Sequence, residues 1–139
     1  MLFRSDWYNS SASTRTMFLD NSGNVTFAGN VTAYSDGRLK TNVKSLENSL
    51  QLVKQLRGVS YNWIESGEYA IGVIAQEVEK VLPQIVKPAP FDIDVDDDGN
   101  EYSRSGENYK TVKYEKLVPL LIEAIKELKD EINELKGGK

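Results

Sequence analysis

Residues 118–135 read VPLLIEAIKELKDEINEL and place apolar side chains at alternating spacings of three and four. This spacing predicts an amphipathic helix with one continuous apolar stripe. The stripe fills the a and d positions of three heptads with Val118, Leu121, Ile125, Leu128, Ile132 and Leu135. Because three heptads approach the shortest coiled coil, the pattern predicts a C-terminal helix over residues 114–136 that associates with other helices.

The sequence leaves the partners of this helix open. β-Branched residues at a and leucine at d favour two parallel strands. Leu117, Ile122 and Ala124 widen the apolar face over the first two turns, which suits three helices or packing on the domain itself. An amphipathic helix packed only on its own domain is therefore the alternative. Pro119 falls within the first turn, where proline is tolerated.

Residues 41–113 alternate between short helical and strand patterns. Ser45 is a suitable N-cap for a helix that stops at Gly58. Alternating apolar residues at 59–63 and 69–74, with a polar turn between them, predict a β-hairpin. The next predicted elements are a short helix at 75–82 ended by Pro83, a short strand at 84–86 and an extended connector at 87–90.

An acidic run at residues 94–99 reads DVDDDG and matches the first half of a calcium-binding loop. The twelfth position of that loop is Ser105, where a bidentate glutamate is required, and Glu107 comes two residues late. A β-excursion is the preferred interpretation, and no metal site is predicted. Its parts are a strand at 91–95, a turn at Asp98 and Gly99, a polar tip at 100–108 and a returning strand at 109–112.

The first 34 residues are rich in Ser, Thr, Asn and Gly and contain a short repeat, GNVT, at 23–26 and 29–32. Val25 and Phe27, and then Val31 and Ala33, alternate with smaller or polar residues, which predicts two short strands. Such strands bury too little apolar surface to stand alone. They need the rest of the chain or other copies, as in fibrous β-structures built from stacked units; the alternative is a disordered tail.

Composition excludes several classes of protein. The chain of 139 residues has no histidine and no cysteine, which removes disulfides, thiolate metal sites and the commonest metal ligand. Its 17 Lys and Arg are dispersed and its net charge is −4, so no nucleic-acid surface is predicted. No apolar run reaches the ~18 residues of a membrane span, and the N-terminus lacks the pattern of a signal peptide. No cofactor is predicted.

Residues 35–40, SDGRLK, place a lysine five residues after a serine, in a turn with a carboxylate and a glycine. Without histidine or cysteine, lysine is the remaining nitrogen base for a serine nucleophile. A lysine acts as a base near neutral pH only when desolvation lowers its pKa from about 10.4. Ser35 and Lys40 therefore form a candidate Ser–Lys dyad; a solvated turn leading into a helix is the alternative.

Three segments together resemble one family. They are AYSDGRLKTNV at 33–43, GVIAQEV at 72–78 running to Pro83, and residues 114–128 with LVPLL and AIKEL. In this order they are similar to the intramolecular chaperone domain at the C-terminus of phage tail spikes and fibres, the endosialidase type. The resemblance covers residues 33 to about 135.

The resemblance implies an α+β fold: a small mixed domain with β-hairpins and a long C-terminal helix that forms a trimeric bundle, preceded by a fibrous β stub. Residues 1–34 would end a trimeric β-fibre stalk, and residues 35–139 would be the chaperone domain. The family implies a homotrimer that folds the fibre segment preceding it in the same chain. From the composition, no nucleic-acid or membrane partner is expected.

The family also implies a single-turnover serine peptidase that cuts its own chain. Ser35 would be the nucleophile, Lys40 the base, and the bond between Tyr34 and Ser35 the cleaved bond, with Asp36 supporting the dyad. The protein would be a virion tail fibre or spike precursor made in the host cytoplasm, and its chaperone part would be released by cleavage.

Two other functions remain open at this point. The domain could be a structural trimerisation module in which Ser35 and Lys40 are inert. It could also be a receptor-binding tip, in which Trp7, Tyr8 or the acidic excursion at 92–101 contacts a host surface. Cleavage of the expressed chain separates the first function from both of these.

Overall fold

The computed structural model describes residues 7–9, 14–20 and 24–137 of the chain. By contacts between backbones the chain divides into two compact units, Met1–Val43 and Lys44–Lys139. The division lies downstream of Tyr34 and Ser35. The boundary between those two residues concerns cleavage rather than compactness, so it stays a prediction.

The first unit contains a three-stranded antiparallel sheet in the order β1–β2–β3. The strands are β1 (Trp7–Asn9), β2 (Thr14–Leu19) and β3 (Val25–Phe27). Asp20 closes the connection between β2 and β3, because its carboxylate accepts the backbone N–H of Asn24 at 2.8 Å. The strand predicted in the first GNVT repeat is thus confirmed.

The strand predicted at Val31 and Ala33 is wrong, because residues 30–36 have no regular secondary structure. Val31 is 76 % exposed. The pattern of small and apolar residues is suitable for a strand, but a strand forms only beside a partner that pairs with its backbone. Within the described part of the chain, this segment has no such partner.

The second unit is the predicted mixture of small hairpin sheets and helices. It contains α1 (Ser49–Gln55), β4 (Val59–Asn62), β5 (Tyr69–Gly72), α2 (Ala75–Val81), β6 (Val86–Pro88), β7 (Ile93–Val95), β8 (Glu101–Ser103), β9 (Lys110–Val112) and α3 (Leu117–Gly137). Three antiparallel pairs form, β4 with β5, β6 with β9 and β7 with β8. The predicted hairpin at 59–74 and the predicted helix at 75–82 are confirmed with shorter bounds. The predicted helix at 114–136 is confirmed as well, although it begins at Leu117 and ends at Gly137.

One small core joins α2, the chain that follows it, and α3. Val78 of α2 and Leu82, the C-cap residue that follows this helix, are buried together with Ile85 and Val86. Leu120 of α3 completes the cluster. Pro83 stops α2 and begins a 3₁₀ turn, which directs Ile85 into the same core. The short strand predicted at 84–86 begins only at Val86, because the first two of those residues belong to this turn.

The pairing predicted for the acidic excursion is wrong. The strand at 93–95 pairs with β8, inside the segment predicted as a polar tip, and not with the strand at 110–112. The latter pairs with β6 instead. Asp96 organises the turn between β7 and β8, accepting the backbone N–H groups of Asp98 and Asn100 at 3.0 and 2.7 Å. The Asp96 carboxylate thus closes this turn.

Asp92 fixes the base of this excursion. Its side chain is buried and accepts the hydroxyl of Ser103 at 2.7 Å, the N–H of Ser105 at 2.9 Å and the N–H of Tyr109 at 3.1 Å. These bonds, led by that from Ser103, hold the pKa of Asp92 well below its usual range. One carboxylate thus closes the loop that separates β8 from β9.

Asp92→Asn should destabilise the second unit by about 2–3 kcal/mol near neutral pH, because a buried carboxylate with several donors is replaced by a weaker acceptor. A carboxylate whose pKa falls on folding stabilises the protein above its unfolded pKa, and this contribution is lost as the pH falls through the folded value. The difference between wild type and variant should therefore be full above about pH 5 and shrink below about pH 4. Urea unfolding across this pH range measures it. Asp97→Asn, at the exposed tip, is the control, and an equal loss in both variants would contradict the role of Asp92.

The N-terminus of α1 differs from the prediction. Asn48, not Ser45, is the N-cap residue, and its positive φ of 56° comes without a capping bond from its side chain. The cap comes from α3, because the Glu127 carboxylate accepts the N–H of Ser49 at 2.9 Å and that of Leu50 at 2.8 Å. A cap supplied from about eighty residues away leaves no local signal, which is why the sequence pattern placed the start at the wrong residue.

Glu127→Ala should cost about 1–3 kcal/mol of stability, since two N–H groups at the start of α1 lose their acceptor. Hydrogen exchange should also accelerate at the amides of Ser49 and Leu50. Glu134→Ala, two turns further along the same side of α3, is the matched control. Equal protection of those amides in both variants would show that the cap is dispensable.

Candidate active site

A short turn shapes the segment that carries the candidate dyad. Asp36 caps a 3₁₀ turn at Gly37–Leu39, accepting the N–H of Arg38 on its side chain at 2.8 Å and the N–H of Leu39 on its carbonyl at 3.2 Å. Lys40 closes the turn by donating its own N–H to the Gly37 carbonyl at 3.1 Å. The reversal returns the side chain of Lys40 toward the residue that precedes the turn.

Lys40 and Ser35 are in direct contact. The ammonium nitrogen, Nζ, donates to the Ser35 hydroxyl oxygen, Oγ, at 2.9 Å and to the Ser35 carbonyl oxygen at 2.9 Å. The first distance is within the range at which a base takes a proton from a nucleophile. The turn thus brings Ser35 and Lys40, five residues apart in the sequence, within hydrogen-bond distance.

The side chain of Asp36 binds Arg38. Its carboxylate binds the guanidinium of Arg38, with Nη2 donating at 2.7 Å and Nε at 3.1 Å. This ion pair lowers the pKa of Asp36 and raises the pKa of Arg38. Both side chains are exposed, so their pairing contributes little to overall stability. The geometry makes Asp36 a residue that shapes the turn.

Arg38 is the residue of this segment that the sequence analysis did not single out. Its bidentate contact with Asp36 would have been foreseeable from their separation of two residues across a capped turn. The contact holds the Asp36 side chain in the orientation in which it also caps the turn.

The surroundings of the pair are open in a single chain. Tyr34 is 98 % exposed, and Ser35 and Lys40 are also exposed. The bond between Tyr34 and Ser35 lies in a stretch with no regular secondary structure. Among the described residues, one chain thus brings Ser35 and Lys40 together without burying them.

The predicted association face of α3 is also open. All six residues of the a/d stripe are 36–80 % exposed in one chain: Val118, Leu121, Ile125, Leu128, Ile132 and Leu135. Leu120 and Ala124, which lie on the flank of the helix next to the d positions, are buried. Packing within the domain therefore uses one face of α3 and leaves the heptad stripe available.

Other kinds of site find no support in the described residues. No group of three or more acidic, histidine or cysteine side chains among them is arranged to hold a metal ion. None of the helices in that part of the chain combines the length and apolar character needed to cross a bilayer. Trp7 belongs to β1, and its side chain lies outside what the structure describes, as does that of Tyr8.

Comparison with known proteins gives a family for this segment. Residues 35–87 match the model of peptidase family S74, described as the chaperone of endosialidase. The match begins at Ser35 and includes Lys40, α1, the β4–β5 hairpin and α2.

Phage tail fibre proteins are similar to most of the chain. The chain is 36 % identical over 121 residues to the long tail fiber protein Gp37 of Enterobacteria phage Ox2, which covers 82 % of this chain and 43 % of that protein. It is 36 % identical to the Gp37 of Enterobacteria phage M1, over 73 % of this chain and 38 % of that protein. It is 32 % identical to the Gp37 of Salmonella phage S16, over 82 % of this chain and 15 % of that protein.

The chain thus spans less than half the length of these tail fibre relatives. Their names describe the whole fibre, whereas the family match describes the segment that begins at Ser35. Taken together, these similarities identify the chain as one that carries a chaperone domain of the endosialidase family, of the phage tail fibre type.

Proposed function

We propose that this domain assembles three tail fibre chains and then removes itself by cutting between Tyr34 and Ser35. The observation that carries the proposal is the 2.9 Å hydrogen bond between Lys40 Nζ and Ser35 Oγ. In a chain without histidine and cysteine, this pair is the nucleophile and base that the described residues offer at the start of the family match.

The chemistry follows from the position of the serine directly after the cut. Neutral Lys40 accepts the hydroxyl proton of Ser35, and Oγ attacks the carbonyl carbon of Tyr34. The C–N bond between the two residues breaks, the amine of Ser35 takes the proton from Lys40, and Tyr34 is left as an ester on Oγ. Water hydrolyses this ester, which gives a Tyr34 carboxylate and a free amine at Ser35.

In this proposal the reaction proceeds only after the chains have assembled. An ammonium group has no lone pair and cannot accept the hydroxyl proton of Ser35, so the reaction needs the neutral amine. Burial against other copies would favour the neutral amine. Docking would also hold Tyr34 and Ser35 in the geometry of attack, a contribution that can replace several orders of magnitude of effective concentration.

The assembly face is the a/d stripe of α3. A stripe of six large apolar residues is unusual on the surface of a monomer and is typical of an interface. Three copies would bury it in a short helical bundle, with the segments that precede Ser35 brought together as the end of a fibre. The precursor would be made in the host cell and the fibre carried in the virion.

Mass spectrometry of the purified chain under denaturing conditions tests the proposal. We expect a fragment that begins at Ser35 and a second fragment that ends at Tyr34. A trimer that stays uncut would assign the domain to a permanent structural module at the fibre tip instead. A fragment that begins at any other residue would overturn the assignment of the nucleophile.

A further inference from the structure

Arg38 occupies the carboxylate that lies next to the pair of Ser35 and Lys40. Its Nη2 donates to Oδ2 of Asp36 at 2.7 Å, and its Nε lies 3.1 and 3.2 Å from the two carboxylate oxygens. Its backbone N–H donates to Oδ1 at 2.8 Å. Within the described part of the chain, the hydrogen bonds to this carboxylate thus all come from one residue.

The same carboxylate is within reach of Lys40. Nζ of Lys40 bonds the carbonyl oxygen of Ser35 at 2.9 Å, and this carbonyl belongs to the peptide group that joins Ser35 to Asp36. A rotation of the Asp36 side chain would therefore bring its carboxylate to Nζ. Among the ion pairs of the described residues, however, none includes Lys40.

A free carboxylate at this position would compete with Ser35 for the lysine. A bond between an ammonium group and a carboxylate is stronger than one between an ammonium group and a hydroxyl. An Asp36 side chain without Arg38 would thus draw Nζ away from Oγ of Ser35. The guanidinium prevents this because its planar set of donors matches both oxygens of one carboxylate.

We propose that Arg38 is a positioning residue for self-cleavage: by holding the Asp36 carboxylate, it keeps Lys40 on the hydroxyl of Ser35. Arg38 acts through Asp36 and takes no part in the transfer of the proton. The inference rests on the proposed function, to which it adds the residue that keeps the base beside the nucleophile.

A merely structural ion pair is the alternative, and a double variant distinguishes it. If the pair only holds the turn together, loss of both partners should slow cleavage at least as much as loss of Arg38. If Arg38 prevents competition, removing the carboxylate as well should restore the rate. Asparagine at position 36 is suited to this test, because its side-chain oxygen can still cap the turn while its charge is gone.

The test compares cleavage rates in full-length chains that carry a light-removable group on Oγ of Ser35. These chains assemble uncut, which light scattering verifies, and a light pulse then starts cleavage in all of them together. A denaturing gel of samples stopped at successive times gives the rate. Arg38→Gln should cut about fivefold more slowly than the wild type, the upper range for an exposed ion pair. The variant with both Asp36→Asn and Arg38→Gln should recover this factor.

Arg57→Gln is the matched control. Arg57 also forms an ion pair with a carboxylate, that of Glu77, with Nη2 donating to Oε1 at 2.5 Å, but it belongs to the second compact unit. Its loss should leave the rate of cleavage unchanged. An equal slowing in Arg57→Gln and Arg38→Gln would overturn a role specific to Arg38.

The outcomes separate this inference from the proposed function. A wild-type chain that stays uncut after the light pulse would remove self-cleavage itself. A wild type that cuts, with Arg38→Gln cutting at the same rate, would leave the proposed function standing and overturn the role of Arg38. A double variant as slow as Arg38→Gln would show that the ion pair only supports the turn.

Discussion

Ser35→Ala is expected to leave the chain uncut and fully assembled. The substitution removes the oxygen that attacks Tyr34 and changes nothing in the a/d stripe of α3. Ser35 is exposed, and it accepts hydrogen bonds from Lys40 on its hydroxyl and carbonyl oxygens. The fold of a single chain should therefore tolerate alanine at this position. The expected loss is complete, because the variant lacks the attacking oxygen.

Lys40→Arg separates the two roles of the lysine. Arginine keeps the positive charge and can still donate to Ser35, but it does not deprotonate in proteins and cannot act as a base. We therefore expect an assembled and uncut chain again. Lys44→Arg and Ser45→Ala, both at exposed positions outside the turn, are the matched controls and should cut like the wild type.

A denaturing gel together with light scattering checks both variants. Cleavage at the wild-type rate in Lys40→Arg would show that the lysine only shapes the turn. Loss of the trimer in Ser35→Ala would show that the serine contributes to assembly, which the geometry of one chain gives no reason to expect.

Sequence patterns correctly predicted the features that depend on residues close together in the chain. The stripe from Val118 to Leu135 is a repeating pattern in one helix, and α3 follows it. The contact between Ser35 and Lys40 depends on a six-residue turn that Asp36 caps. The spacing of these two residues therefore suggested the contact, with a solvated turn as the alternative. The β4–β5 hairpin depends in the same way on alternation and a short turn.

Features that depend on distant residues could not be predicted in this way. The start of α1 is set by Glu127, which belongs to a different helix. Asp92, just before β7, binds Ser103 at the end of β8 and Ser105 and Tyr109 beyond it, and no local pattern links residues so far apart in the sequence. The alternation of side chains indicates a strand but not its partner, and several short strands compete for each place.

The candidate site shows the same limit at a larger scale. The proximity of Ser35 and Lys40 is a property of one chain, whereas the buried base and the constrained bond that we propose would need several copies. The exposure of Tyr34 and of the α3 stripe in one chain points to other copies as the missing surroundings. Contacts with other copies depend on residues of separate chains, so neither the sequence pattern nor the fold of one chain predicts them.

Ile125→Asp should convert the protein into an uncut monomer. Ile125 lies in the middle of the a/d stripe and is 66 % exposed in one chain, so the substitution removes little from the core of the domain. In an assembled bundle the same position is enclosed, and three carboxylates would meet there without partners. Burying unpaired charge costs several kcal/mol per group, which exceeds what a short apolar seam provides.

The control for this change is Asn133→Asp, which introduces the same carboxylate on the outer side of the same helix. Both substitutions have similarly small effects on helix propensity, so a difference between them reports on the seam. Light scattering should show a monomer for Ile125→Asp and a trimer for Asn133→Asp, and a gel should show that only the trimer is cut. A monomer that still cuts at the wild-type rate would show that Ser35 and Lys40 are sufficient within one chain. In that case cleavage would not depend on assembly.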